Sequence, residues 1–297
     1  MDQLFHYDEL LKSYEDMWNY HTPSKSTFHT KEIWDQRAVE WAQELRQDSA
    51  RRNSADKRVA ATVEYLQAHS ALKPEDNVID IGCGSGWFIN AFAPYVRQAT
   101  GADLSPKMLE FGAEVSKERG ICNTAWVSCD FHAADIDALG WRERFDLVFT
   151  SITPAVNREG LRKIIAMSRG YCFNSCFVRT EDDLLTSLLL NRFDCSPIFS
   201  DDAQWRWFYA MVNLLFLWGY LPEITYYKEA KQERLQVNER SANKLSVRAG
   251  HILNRDPNDL LQPTLQYLSS IADSDGSVPR TSTYTYGWAL WDVRKNR

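Results

Sequence analysis

A chain of 297 residues, 44% hydrophobic and 25% charged, can bury a sizeable core and carries no low-complexity tract, which excludes a fibrous or broadly disordered protein. Its formal net charge of −6 supplies no global attraction for a polyanion, so nucleic acid is disfavoured as a partner. The six cysteines, at 83, 122, 129, 172, 176 and 195, form no tight paired pattern and read as reduced and mainly structural.

The first segment, MDQLFHYDELLKSYEDMW, places acidic residues early and lacks a basic-then-apolar leader, so a cytoplasmic location is expected. Apolar residues then recur at helical spacing three times: Tyr7, Leu10, Leu11, Tyr14 and Trp18; Trp34, Ala38, Trp41, Ala42 and Leu45; Val59, Val63 and Leu66. Between the first two lies YHTPSKSTFHT, where Pro23 and the Ser/Thr content break the period and predict a loop. Residues 1–55 are accordingly expected to form an N-terminal helical lid.

From Lys73 the pattern changes to short apolar runs separated by helices: NVIDIG, ATGADL, TAWVSCD, FDLVFTS and GYCFNSCFV. That alternation predicts an α/β fold with a doubly wound, mostly parallel sheet. A helix over Trp205–Trp218 follows, then EITYY at 223–227 and TYTYGWALWDV at 283–293 as further strands. The stretch Phe208–Leu221 contains Asn213 and Gly219 and is too short for a membrane span, so it reads as a buried helix and no membrane association is expected. The organisation expected is a cofactor-binding core over 56–228, a helical insertion over 229–280 with helices near Ala242–Leu253 and Asp259–Ile271, and a final core strand in 281–297. Residues 181–204 form a second excursion from the sheet.

The sharpest local feature is Val78-Ile79-Asp80-Ile81-Gly82-Cys83-Gly84-Ser85-Gly86-Trp87-Phe88, a buried strand running into a glycine-rich turn and a helix. A dinucleotide fingerprint would put its third glycine at 87, where this chain has tryptophan, so that reading weakens. Asp103 ends the second strand, where a carboxylate can accept from both hydroxyls of a ribose. Asp130 follows the third strand and can take an adenine amino group, with the apolar Phe131 beside the ring. Asp80 lies inside an apolar strand, where an unpaired carboxylate is costly, and is expected to organise the turn or the amino group of a cofactor.

These residues resemble the class I S-adenosylmethionine-dependent methyltransferase family: VIDIGCGSGWF matches its first motif, GADLSPKML its second and CDF its adenine-side motif, over about residues 73–155. The resemblance implies a seven-stranded Rossmann-like sheet, S-adenosyl-L-methionine as cofactor, S-adenosyl-L-homocysteine as product, and methyl transfer by in-line displacement. It implies that Gly82, Gly84 and Gly86 carry the methionine part, Asp103 the ribose and Asp130 the adenine. Cys83, Leu104 and Met108 lie within the first two motifs and are counted with the cofactor-binding residues. Ser151 joins them from the end of the fourth strand, where the family places residues that face the transferable methyl.

The acceptor is expected to be a small molecule. Thr153, Trp205 and Tyr209 are candidate acceptor contacts, with core packing as the alternative for the two aromatics. The sequence lacks the N-P-P-Y type of motif found in enzymes acting on exocyclic nucleobase or amide nitrogen. In-line displacement requires no metal, and a general base only for a protonated acceptor; His21 and His29, flanking the loop of the lid, are the candidates, with His132 a further one. Cys172 and Cys176 point to the same face of a strand but sit far apart, which disfavours a shared thiol site. Two rival functions stay open: a methyltransferase acting on tRNA or protein, and a noncatalytic S-adenosylmethionine-binding regulator.

Overall fold

The structure, a computed structural model, describes residues 7–19, 34–35, 49–195 and 204–296. Its seven strands are β1 (Asn77–Ile81), β2 (Gln98–Asp103), β3 (Thr124–Ser128), β4 (Phe145–Ser151), β5 (Ser168–Asp182), β6 (Glu223–Gln236) and β7 (Ser277–Asp292). They form one sheet in the order β3-β2-β1-β4-β5-β7-β6. The pairs β1–β2, β2–β3, β1–β4 and β4–β5 are parallel, with Asp80 opposite Gly101 on one side and Phe149 on the other. The chain leaves β1 toward β2 and β3, then restarts at β4 on the opposite side of β1. Open α/β sheets bind ligands at such a switch point, beyond the carboxyl ends of the strands.

The helices are α1 (Tyr7–Asn19), α2 (Ser49–Ala68), α3 (Trp87–Phe92), α4 (Pro106–Glu118), α5 (Arg158–Met167), α6 (Asp183–Phe193), α7 (Gln204–Leu217), α8 (Glu239–Leu253) and α9 (Pro257–Ile271). Local chemistry sets several starts. Ser105 caps α4 by accepting from the Met108 N–H, with Pro106 in the first turn, and Asn157 and Asp182 cap α5 and α6 in the same way. Asn238 and Ser241 cap α8 reciprocally.

The chain divides into two compact units. The first comprises residues 1–176, 206–227 and 287–297, and the second residues 177–205 and 228–286. In the first, Val78, Ile79, Ile81, Leu147, Val148 and Phe149 are fully buried, the continuous apolar pattern of parallel strands covered on both faces. Phe149 stacks on Phe173 with ring centroids 5.0 Å apart, Phe92 meets Phe149 edge-on, and Trp288 meets Phe173. In the second, Leu184, Leu185, Leu188 and Leu189 of α6 pack with Ala242, Leu245 and Ala249 of α8, Leu260 and Leu268 of α9, and Val278 of β7.

The five strands and the helical segments expected along the core are present, and the two helices expected near 242–253 and 259–271 span 239–253 and 257–271. Three strands run longer than the sequence suggests: β5 continues to Asp182, β6 to Gln236, and β7 begins at Ser277. The added part of β6, KEAKQERLQ, alternates half-buried with exposed positions and carries charges on both, so no apolar alternation announces it. The second unit thus draws on 177–205 and on strand residues 281–286, as well as on the stretch read as an insertion. Among the described residues, no helix is long and apolar enough to cross a membrane.

Candidate functional site

The carboxyl end of β1 turns sharply because three glycines take positive φ, at 72° for Gly82, 52° for Gly84 and 72° for Gly86. The Gly82 and Cys83 N–H groups both donate to the Ala102 carbonyl of β2 (2.8 and 3.2 Å), and the Gly84 N–H donates to Asp103 Oδ2 (2.8 Å). Asp103 Oδ1 in turn accepts from the Ser105 N–H (2.9 Å), so one carboxylate ties the glycine turn to the start of α4. The sequence reading expects Asp103 to be a ligand contact; the structure shows it holding the turn together.

Asp80 is buried, and its Oδ1 has no hydrogen-bond partner. Burial, reinforced by the charge of Asp103, pushes its carboxyl well above the ordinary range. Asp103 is also raised, chiefly by burial, against three backbone N–H donors from Ser105, Gly84 and Leu104 that favour its charge. Burial and the same two carboxylates drive the Cys83 thiol well up, so it stays a neutral wall of the turn. Once ionised, the two carboxylates beside the glycine turn suit a ligand bearing a cation and hydroxyl donors.

Ser151 closes β4 in register with Ser175 of β5, and both hydroxyls are buried without partners among the described residues, as is that of Ser85 in the turn. Ile152 follows at φ 50°, donating its N–H to the Ser175 carbonyl (2.8 Å). A β-branched residue in the left-handed region is strained by roughly 1–2 kcal/mol, and such strain concentrates at functional sites. Thr153 packs against Gly82: a Cβ at that glycine would lie 1.9 Å from Thr153 Oγ1. The side chain expected at the acceptor therefore forms the back of the glycine turn.

Asp130 is exposed and accepts from the His132 N–H (3.1 Å), while Phe131 is buried beside Lys163, whose Nζ lies 5.7 Å from the ring centroid. Leu104 is half-buried and Met108 buried in the first turn of α4. Trp205 and Tyr209 are exposed on α7, with Tyr209 edge-on to Tyr14 of α1 (6.0 Å). His21 and His29 lie outside the described residues, as do Ala38, Trp41, Ala42 and Leu45. Cys172 and Cys176 are both buried in β5, and burial alone pushes the Cys176 thiol up to about 12. Among the described residues no group of three or more His, Cys, Asp or Glu side chains could hold a metal.

Three residues were not singled out by the sequence. The Trp126 indole on β3 occupies the room left by Gly86, Gly101 and Gly112, whose Cβ positions would fall 2.2, 3.0 and 2.6 Å from it. Lys163 on α5 donates to the carbonyls of Phe131, His132 and Ala134 (3.2, 2.8 and 2.9 Å) and fixes the loop that carries Asp130. Asp35 accepts from the Ser105 hydroxyl (2.5 Å). Only Trp126 left a trace, since glycines at 101 and 112 have no turn to make.

Residues 78–169 match a family model described as a methyltransferase domain. A 51-residue stretch is 37% identical to the uncharacterized methyltransferase YcgJ of Bacillus subtilis strain 168, covering 17% of this chain and about a fifth of that protein. Among solved structures, the BH2331 protein of Bacillus halodurans C-125 is 16% identical with a TM-score of 0.49, covering 78% of this chain and 99% of its own. The magnesium protoporphyrin IX methyltransferase ChlM of Synechocystis PCC 6803, with bound SAH, is 13% identical with a TM-score of 0.48, covering 70% and 92%.

Proposed function

We propose that the chain binds S-adenosylmethionine and transfers its methyl group to a small-molecule acceptor, a reading supported by the match of residues 78–169 to a methyltransferase-domain model. The observation that carries this reading is the buried Asp80 carboxylate with an unanswered oxygen beside the glycine turn. In that position it accepts from the amino group of the cofactor, and a cation there would offset both its burial and the repulsion from Asp103. Asp103 keeps acceptor capacity for the ribose hydroxyls, Asp130 is exposed for the adenine amino group, and the hydroxyls of Ser85 and Ser151 border the same strand ends. When bound, the cofactor supplies a methyl on a sulfonium, which an acceptor displaces in line without a metal.

The rest of the proposal concerns the cover of the site. The Asp35–Ser105 hydrogen bond brings the N-terminal segment to the β2–α4 junction, while α1 leans on α7 through Trp18 against Trp207 (5.2 Å) and the Tyr7 hydroxyl donating to the Leu217 carbonyl (3.2 Å). A segment held this way can exclude water from the sulfonium, and it would carry His21 and His29 as candidate bases. The formal charge of −6 favours a small acceptor over tRNA.

Label transfer from methyl-labelled S-adenosylmethionine tests the function, with a small-metabolite fraction, tRNA and a protein fraction offered separately. Label is expected in the small-metabolite arm. Label confined to tRNA or protein would select the macromolecular reading, and binding without transfer in any arm would leave a noncatalytic cofactor sensor.

A further inference from the structure

The second unit holds a cluster of charges that methyl transfer does not use. Asp182, at the carboxyl end of β5, has a side chain only 1% exposed. Its Oδ1 caps α6 through the Leu185 N–H, and its Oδ2 takes both the Arg248 guanidinium and the Nε (3.1 Å) and Nη2 (2.5 Å) of Arg280. Burial opposes this charge, but the Arg280 and Arg248 guanidinium groups and the Leu185 N–H outweigh it and hold the carboxyl below its ordinary range. Asp182 is therefore ionised and fully subscribed.

Arg280 also donates to Glu233 (3.0 Å), whose other oxygen is held by Lys231 (2.9 Å). Three cations, Lys231, Arg248 and Arg280, thus meet two carboxylates, and Lys244 stands one turn from Arg248 on α8, in a protein whose overall charge is −6. Along α8, Arg240, Lys244 and Arg248 repeat every four residues on one face, an arrangement that repels itself. Beside that face lies a cavity of about 380 Å³, within the range of about 300–1,000 Å³ common to small-molecule pockets. Lys244, Arg248 and Arg280 line it together with Leu235, Leu245 and Val247, and among the described residues no acidic side chain does.

We propose that this cavity is a second ligand site, which takes a small amphipathic anion: a carboxylate or phosphate head against Lys244 and Arg248, and an apolar body against Leu235, Leu245 and Val247. Arg248 gives one donor to Asp182, and its forked guanidinium has further donors to offer an oxyanion. Lys244 adds a mobile point charge one turn away. Arg280, engaged on two carboxylates, holds the floor.

Titration calorimetry on the full chain tests this with octyl phosphate, octanoate, octyltrimethylammonium and inorganic phosphate. One or both octyl anions are expected to saturate a single site, inorganic phosphate to bind more weakly, and octyltrimethylammonium not to bind. Which octyl anion binds identifies the head group. Lys244→Gln, an exposed change that leaves Asp182 its partners, should weaken binding several-fold, and Arg248→Gln at least tenfold. Neither variant should alter the affinity for S-adenosylhomocysteine, so the site stands or falls apart from the methyltransferase reading. Failure of both octyl anions to saturate, equal binding of the octyl cation, or an unchanged affinity in Lys244→Gln overturns the proposal.

Discussion

Asp80 is a carboxylate whose surroundings oppose its charge, through burial first and Asp103 second. The folded protein keeps its proton where the unfolded chain has already lost it. Between the ordinary carboxylate value and the raised one the native state binds more protons, so this contribution to stability falls as pH rises. On the proposal that Asp80 holds the amino group of the cofactor, affinity is expected to run the other way, growing as Asp80 ionises. Asp80→Asn should therefore stabilise the ligand-free protein at neutral pH by roughly 1–3 kcal/mol, the usual cost of an unsatisfied buried group, while S-adenosylhomocysteine affinity falls at least tenfold. Thermal melts and calorimetry read both effects, and a lower Tm for the variant would show that the charge is compensated. Gly82→Ala meets Thr153 and a φ of 72°, whereas Gly120→Ala meets a φ of 68° and open space. Gly120→Ala should cost about 1–2 kcal/mol for strain, and Gly82→Ala about 1–3 kcal/mol more for overpacking. Urea melts that find the two alike would remove Thr153 from the back of the turn. The glycines, Asp80 and Asp103 were legible because each is an exception within its strand or turn. The packing of Thr153 was not, since it depends on how two loops 71 residues apart meet.

At the scale of elements, the strands buried on both faces could be read from their apolar runs, and β4 spans the FDLVFTS expected for it. The ends of β5, β6 and β7 could not, because polar residues on a half-exposed strand look like loop. Lys163 belongs to the same class of hidden feature: a lysine on an amphipathic helix reads as solvated, yet here it gathers three carbonyls of the loop after β3. Lys163→Met should lower stability by about 1–2 kcal/mol through the lost charge-assisted hydrogen bonds. It should also weaken S-adenosylhomocysteine several-fold by releasing the backbone that positions Asp130. A thermal melt and a titration separate these, and unchanged affinity with a lowered Tm would mean that the loop does not hold the nucleoside.

For the whole molecule, residues 78–169 match a methyltransferase-domain model, and the second unit, built from 177–205 and 228–286, has its own apolar core and its own charge network. Two ion-paired carboxylates contribute to stability against acid. Burial opposes the charge of Asp146, but Arg169 and the Asn77 N–H outweigh it and hold its carboxyl below the ordinary range; Asp182 is held low in the same manner. Both contributions are present above the ordinary carboxylate value and are lost as pH falls through the depressed ones. A ligand that binds only the native state adds stability by mass action. The central claim, that Asp80, the glycine turn and Asp103 hold S-adenosylmethionine, is tested most directly by titrating the chain with S-adenosylmethionine, S-adenosylhomocysteine and NAD, alongside Asp103→Ala. Both sulfur nucleosides are expected to bind one per chain and NAD not to compete. Asp103→Ala should fold and lose about ten- to hundredfold in affinity, about 1.5–3 kcal/mol for hydrogen bonds to a charged group. Tight binding of NAD with no binding of either sulfur nucleoside would contradict the account.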